Sequence, residues 1–284
     1  MSAIEVRITE YTDPGCPWAY SAEPSRRRLD WLYGEGLEWR INVVGLAETR
    51  AEQREKGFTP ETMAEHFKEI SRDHGMPMDT REREDVSATV DACRAVVAAR
   101  LNSPEHERQL LRCLRVDYFA GGMLDDRELI RAAAATAGLD PDDLEGWMEE
   151  KETERVLGED MERARAPMPA ARVLDYKLAN WSGGRRYTCP SYEIERLADG
   201  VKISVPGFQP FAAYDVVLAN LLPNLERRDP AESAHAVLEW AGTPLASQEV
   251  ARVMDITRSE AREALGRIAD ERHVGAEGFW RLPA

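Results

Sequence analysis

The run Ile4-Glu5-Val6-Arg7-Ile8-Thr9-Glu10-Tyr11, followed by Thr12-Asp13-Pro14-Gly15-Cys16-Pro17-Trp18-Ala19-Tyr20, decides the fold. Ile4, Val6 and Ile8 alternate with charged or polar residues, which is strand period. Thr12-Asp13-Pro14-Gly15 breaks that period, as Pro and Gly do. Cys16 follows, and Pro17 suits the first turn of a helix because its missing N–H has no partner to lose there. The helix is expected to reach about Leu32, with Trp18, Leu29 and Leu32 as candidate core contacts. Gly34 and Gly36 end it. Leu37–Leu46, with Trp39, Ile41, Val43 and Val44, reads as a second strand. The chain thus opens strand–helix–strand, for which a right-handed parallel crossover is the default.

Outward from this opening, the pattern turns helical. Thr59-Pro60-Glu61 marks a helix start, with Met63, Phe67 and Ile70 on one face. Further helices are expected over about 87–101, 104–119, 126–137 and 141–165. Strand character returns at Tyr187–Arg196, turns at Ala198-Asp199-Gly200 and comes back along Val201–Val205. Phe211–Leu222 has helical period, and Glu226–Pro230 reads as a linker. The tail gives helices at Ala231–Trp240, Ser247–Met254 and Arg258–Arg272, then a short hairpin at Val274–Leu282. Helix–helix–helix–wing is the pattern of a winged helix.

Composition narrows the function classes. The 284 residues are 43% hydrophobic and 31% charged, which suits a globular chain with a sizeable core. Lys and Arg number 37 against 52 Asp and Glu, a net charge of −15. That argues against nucleic-acid binding and against an anionic membrane surface. The tail at 231–284 carries six Arg, no Lys and nine acidic residues, so its third helix lacks the basic face DNA needs. A protein-contact or dimerisation role is expected instead, with Phe279 and Trp280 packing the wing onto the helices. Four cysteines, Cys16, Cys93, Cys113 and Cys189, form no secreted disulfide framework. Charges within the first eight residues leave no room for a signal-peptide core, so a reducing cytoplasm is expected. No Cys-x-x-Cys or short-spaced His pair suggests a metal.

The order of Cys16-Pro17-Trp18-Ala19 at a helix start, a large helical block, then Thr188-Cys189-Pro190 before a hairpin and a closing helix resembles the DsbA/FrnE-like branch of the thioredoxin-fold superfamily. Tyr118-Phe119-Ala120-Gly121-Gly122 through Gly138-Leu139-Asp140 resembles that family's helical insertion, and Val205-Pro206-Gly207-Phe208-Gln209 the segment before its last helix. The resemblance implies an α/β thioredoxin fold over residues 1–225 with a helical insertion at about 51–182, followed by a winged-helix-like module at 231–284. It places Cys16 at the family's active-site motif and Pro190 at its cis-proline. It also implies that Cys189, 173 positions away in sequence, lies beside Cys16. The family's Cys-Pro-x-Cys motif is incomplete, because Ala19 stands at the second cysteine.

The residues set the expected chemistry. Cys16 at a helix N-terminus, on an exposed strand–helix turn, should have a lowered pKa and act as a thiolate nucleophile. Cys189 gains no helix terminus and is expected to act second or to orient substrate. Pro17, Trp18, Thr188 and Pro190 would form the substrate surface. Trp18 and Tyr20 would wall an apolar groove, and Arg185 and Arg186 would hold a carboxylate. Cys93 and Cys113, within helical patterns, read as inert core thiols. The leading expectation is a thiol–disulfide oxidoreductase with no tightly bound cofactor and a low-molecular-weight thiol as co-substrate. A thiol-dependent transferase or isomerase, like kappa-class glutathione transferases or hydroxychromene carboxylate isomerases, also accommodates Ala19. A non-enzymatic redox sensor or adaptor is the third reading. The partners expected are a disulfide or small-molecule substrate and a second copy in a homodimer.

Overall fold

The computed structural model describes residues 4–283. Strand β1 (Val6–Thr12) leads into helices α1 (Pro17–Ser21) and α2 (Glu23–Tyr33), then strand β2 (Leu37–Val43). β2 lies parallel to β1, with Val6 opposite Leu37 and Thr12 opposite Val43. The single helix expected over 17–32 is two, because Pro24 in the first turn of α2 has no N–H to continue the ladder from α1.

A helical block follows: α3 (Arg50–Glu55), α4 (Pro60–His74), α5 (Val90–Asn102), α6 (Glu107–Phe119), α7 (Arg127–Ala137), α8 (Pro141–Met148), α9 (Lys151–Ala164) and the short turn α10 (Pro169–Arg172). Thr59 caps α4 in a reciprocal capping box with Thr62, as the Thr-Pro-Glu start suggests. The helix expected over 141–165 divides between α8 and α9. There the Thr153 hydroxyl donates to the Trp147 carbonyl at 2.7 Å, satisfying a group that a continuous helix would have used. α5 is the hub of this block. Its alanines and valines are buried on every side, which marks a helix wrapped by others rather than one with a solvent face.

The chain then forms a hairpin that sequence periodicity did not reveal, β3 (Leu178–Trp181) with β4 (Gly184–Tyr187). It returns to the main sheet as β5 (Ser191–Arg196) and β6 (Lys202–Val205) and closes with α11 (Phe211–Leu221). The expected strand 187–196 is therefore broken at 188–190, where the Cys189–Pro190 peptide bond is cis. The main sheet has the order β2-β1-β5-β6, with β5 antiparallel to both neighbours. This is the α/β thioredoxin fold with its helical insertion between the second and third core strands. Leu29 and Leu32 of α2 and Leu218 and Leu221 of α11 pack with Val6, Ile8 and Ile194 of the sheet in one buried cluster.

The tail comprises α12 (Ala234–Ala241), β7 (Leu245–Ala246), α13 (Ser247–Met254), α14 (Arg258–Leu265), β8 (Asp270–Val274) and β9 (Glu277–Arg281), with sheet order β7-β9-β8. The helix expected over 258–272 ends at Leu265, and Asp270–Val274 instead pairs with β9. Arg258 of α14 pairs with Glu277, and Arg262 with Glu271 and Glu277. Trp280 joins the tail's own core, whereas Phe279 and Val274 pack into the core of the helical block. Gly275, at φ +62°, makes the close approach possible: a Cβ there would sit 2.1 Å from the Met78 carbonyl oxygen.

Charges also cross this junction. Glu10 on β1 and Glu23 on α2 receive Arg115 of α6 at 3.2 and 2.7 Å, and Arg26 reaches Glu10 at 2.7 Å. Arg112 of α6 bridges Glu23 and Glu249 of α13, the latter at 2.7 Å. All six side chains are buried. Although burial opposes it, Arg112 and Arg115 together hold the Glu23 carboxyl down at about 2.

Candidate active site

The loop between β1 and α1 is built around Asp13. This fully buried carboxylate accepts hydrogen bonds from the Gly15 and Leu46 backbone N–H groups, each at 2.8 Å, and from the Thr89 hydroxyl at 3.0 Å. Burial raises its pKa against the pull of those donors. Gly15 is required by close approach, since a Cβ would lie 2.7 Å from Thr89 Cγ2. The loop delivers Cys16 as the N-cap residue of α1, with Pro17 in the first turn.

Cys16 is 6% exposed. The expected exposed turn is corrected: the sulfur lies at the floor of a groove, facing the 188–190 loop. Its Sγ donates to the Cys189 carbonyl oxygen at 3.3 Å. Its pKa is lowered, because hydrogen bonding from the Cys189 thiol and from the Ala19 and Trp18 backbone N–H groups outweighs burial and the nearby Asp13. Cys189 is pushed the opposite way, first by burial and then by Cys16 itself. The fold thus brings together the two cysteines singled out in the sequence and makes them unequal. Replacing Cys189 with Ala should move the pH midpoint of Cys16 alkylation by iodoacetamide upward, since the donor that most favours the thiolate is lost. An unchanged midpoint would place the cause elsewhere.

The groove has a volume of about 490 Å³ and is lined by Cys16, Pro17, Trp18, Thr188, Cys189 and Arg186, with Leu46 and Phe58, and with Met63, His66, Phe67 and Ile70 from α4. Trp18 is 42% exposed, so it is a wall and not a core residue. It meets His74 and Phe208 edge-on, with ring centroids 5.3 and 5.5 Å away. Burial lowers the His74 pKa. The Ser191 hydroxyl ties the site together, donating to the Thr188 carbonyl at 2.7 Å and accepting from the Gly207 N–H at 3.0 Å.

Two expected site residues fall elsewhere. Tyr20 is buried, stacked on Phe119 at 4.5 Å, with its hydroxyl donating to the Pro77 carbonyl, so it does not wall the groove. Arg185 points along the hairpin to Asp175 at 2.9 Å, whereas its neighbour Arg186 lines the groove, because successive strand residues face opposite sides. Cys93 donates to Asp13 at 3.4 Å, and burial pushes its thiol up. Cys113 is likewise buried, its pKa raised to about 11 by desolvation. Asp13, His74 and Phe208 were not identified from sequence as site residues. Of these only Asp13 carries a local signal, the Asp-Pro-Gly turn before Cys16.

A family model, the DSBA-like thioredoxin domain, matches residues 7–168. The chain belongs to that family. Among curated proteins it is similar to the ClpXP adapter protein SpxH of Halalkalibacterium halodurans, 24% identical over 270 residues that cover 93% of this chain and 82% of the relative. It is also similar to the SpxH of Bacillus subtilis, 22% identical, covering 95% of this chain and 85% of that protein. Solved structures of the same fold include a protein disulfide isomerase-like protein from Nitrosomonas europaea, with a TM-score of 0.56 and 16% identity over 77% of this chain and 96% of that one. Another is the cytosolic disulfide reductase DsbM from Pseudomonas aeruginosa, with a TM-score of 0.52 and 18% identity over 76% of this chain and 99% of that one.

Proposed function

We propose that the chain is a thiol–disulfide oxidoreductase with Cys16 as its nucleophile, working in a compartment that keeps thiols reduced. The observation that carries this reading is geometric: Cys16 caps the N-terminus of α1 at the floor of the groove, with its Sγ 3.3 Å from the carbonyl oxygen of Cys189, the residue before the cis Pro190. The Cys16 thiolate attacks one sulfur of a bound disulfide. A Cys16–substrate S–S bond forms, the substrate's own S–S bond breaks, and the departing thiolate takes up a proton. Cys189 then loses its proton and attacks Cys16. The Cys16–Cys189 bond forms and the second substrate thiol leaves. The substrate disulfide gains two electrons and the cysteine pair loses two. A low-molecular-weight thiol, itself oxidised to its disulfide, restores the pair. Because Ala19 cannot resolve the intermediate and Cys189 ionises reluctantly, the mixed disulfide should be long-lived.

A second reading, a partner-binding adapter, is favoured by the extent of the SpxH similarity. It covers 93% or more of the chain, whereas the disulfide-enzyme structures named above cover 76–77% of it. A long-lived mixed disulfide is compatible with both, since it holds a partner as well as reducing it. Trapping separates them. With Cys189→Ser and a peptide disulfide, an adduct of one peptide half should accumulate on Cys16 and be released by a small thiol. Undiminished partner capture by Cys16→Ser, with no adduct on Cys189→Ser, would favour the adapter.

A further inference from the structure

The β3–β4 hairpin stands outside the four-stranded sheet, and among the described residues each of its strands pairs only with the other. It belongs to an anomalous stretch of sequence. Residues 163–192 hold six cationic side chains and a single acid, Asp175, a net of +5 in a chain of net −15, which leaves −20 for the remainder. Arg163 pairs with Asp160 and Arg185 with Asp175. Arg165, Arg172, Lys177 and Arg186 make no ion pair among the described residues. Apolar side chains sit among them: Val173 is 82% and Tyr176 77% exposed, and Leu174 is 36% exposed. Exposed apolar side chains clustered within a charged rim mark a contact surface more often than chance exposure does.

The register ties this surface to the active site. Leu178 lies opposite Tyr187, and Ala179 opposite Arg186, which itself lines the groove one step before Tyr187 and Thr188. None of residues 172–177 lines the groove itself, but the segment runs directly into Leu178, which shares a buried cluster with Cys16, Tyr187 and Cys189, so its Lys177 end lies beside the site. Its free cations supply a field opposite in sign to the rest of the chain, and such a local patch steers and holds an oppositely charged chain.

We infer that the segment 172–177 and the β3–β4 hairpin form a docking surface for an acidic protein segment carrying exposed apolar side chains, and that this surface presents the partner's sulfur to Cys16. The inference rests on the Cys16 chemistry proposed above and names the kind of partner that reaches it. Tyr176, Val173 and Leu174 take the partner's apolar residues. Arg172, Lys177 and Arg186 face its carboxylates.

The test uses the full-length reduced protein and two peptide disulfides that share one Cys-centred apolar core. One is flanked by Glu and Asp, the other by Lys. The rate of adduct formation on Cys16 is followed by mass spectrometry at low and high salt. The acidic peptide should react at least about tenfold faster at low salt, with the advantage largely screened at 1 M salt. Arg172→Glu combined with Lys177→Glu should remove that advantage while leaving reaction with a small neutral disulfide unchanged. Equal rates for both peptides would overturn the docking surface and leave the Cys16 reading standing. If no adduct forms with either peptide, fluorescence anisotropy of the acidic peptide with Ser in place of Cys decides the surface alone. Binding lost in the double variant supports it, and no binding overturns it. A salt-sensitive second copy on this face, seen by sedimentation and abolished in the double variant, would also overturn it, because the occupant would then be the chain itself.

Discussion

Cys16→Ser should reduce the rate of thiol-driven peptide disulfide reduction to that of the small thiol alone, a loss of ~10²-fold or more. A serine hydroxyl is not ionised near neutral pH and forms no disulfide, so neither the first attack nor the later exchange survives. The substitution is nearly isosteric at a buried N-cap, and Ser is a favoured residue there, so the fold should be retained. Unchanged thermal unfolding beside the lost rate separates chemistry from stability. The pH dependence has a definite sign. Because the folded state lowers the Cys16 pKa, its reactivity at neutral pH should exceed that of an ordinary cysteine. That reactivity falls away only as pH drops through the lowered value. A Cys16→Ser protein that still reduces the peptide disulfide at the parent rate would remove Cys16 from the mechanism.

The largest stability effect is expected from Glu23→Ala. Glu23 is 6% exposed and holds both Arg112 and Arg115, the latter at 2.7 Å. Its removal leaves Arg26, Arg27, Arg112 and Arg115 gathered around Glu10 and Glu249 alone. Breaking a buried pair by deleting one partner typically costs about 3–5 kcal/mol, because the desolvated charge that remains is uncompensated. A loss of that size should lower Tm by roughly 10 °C in a chain of this length. The linkage is testable too. The Glu23 pKa is depressed in the folded state, so its stabilisation is present above the unfolded carboxyl pKa and is lost as pH falls towards about 2. Glu23→Ala should therefore flatten the acid limb of the stability curve. A Tm within about 2 °C of the parent, the shift that about 1 kcal/mol produces in a chain of this length, would show that the network contributes little.

How far the sequence carries can be read residue by residue. Cys16 with Pro17, and Cys189 with Pro190, announce themselves because a strand break, a helix start and an X–Pro step are local signals. Met63, Phe67 and Ile70 show their shared helix face, but period alone does not say that this face closes a groove over Cys16. Trp18, His74 and Phe208 meet only in the folded chain, coming from α1, the end of α4 and the loop before α11. Arg26 and Arg28 look like the solvated side of a helix rich in charge, yet both are buried, one on Glu10 and the other on Asp255. A buried ion pair leaves no periodic trace, since its partner comes from another element. The β3–β4 hairpin escaped notice because its strands are four residues each and alternate weakly.

The most direct test of the paired-cysteine account is peptide mapping after mild oxidation of the reduced protein. One equivalent of a thiol oxidant should remove two free thiols and link the peptides carrying Cys16 and Cys189, with Cys93 and Cys113 still alkylatable after unfolding. A map in which Cys16 is oxidised but bonded to the small thiol or to a second chain, with Cys189 free, would contradict the pairing.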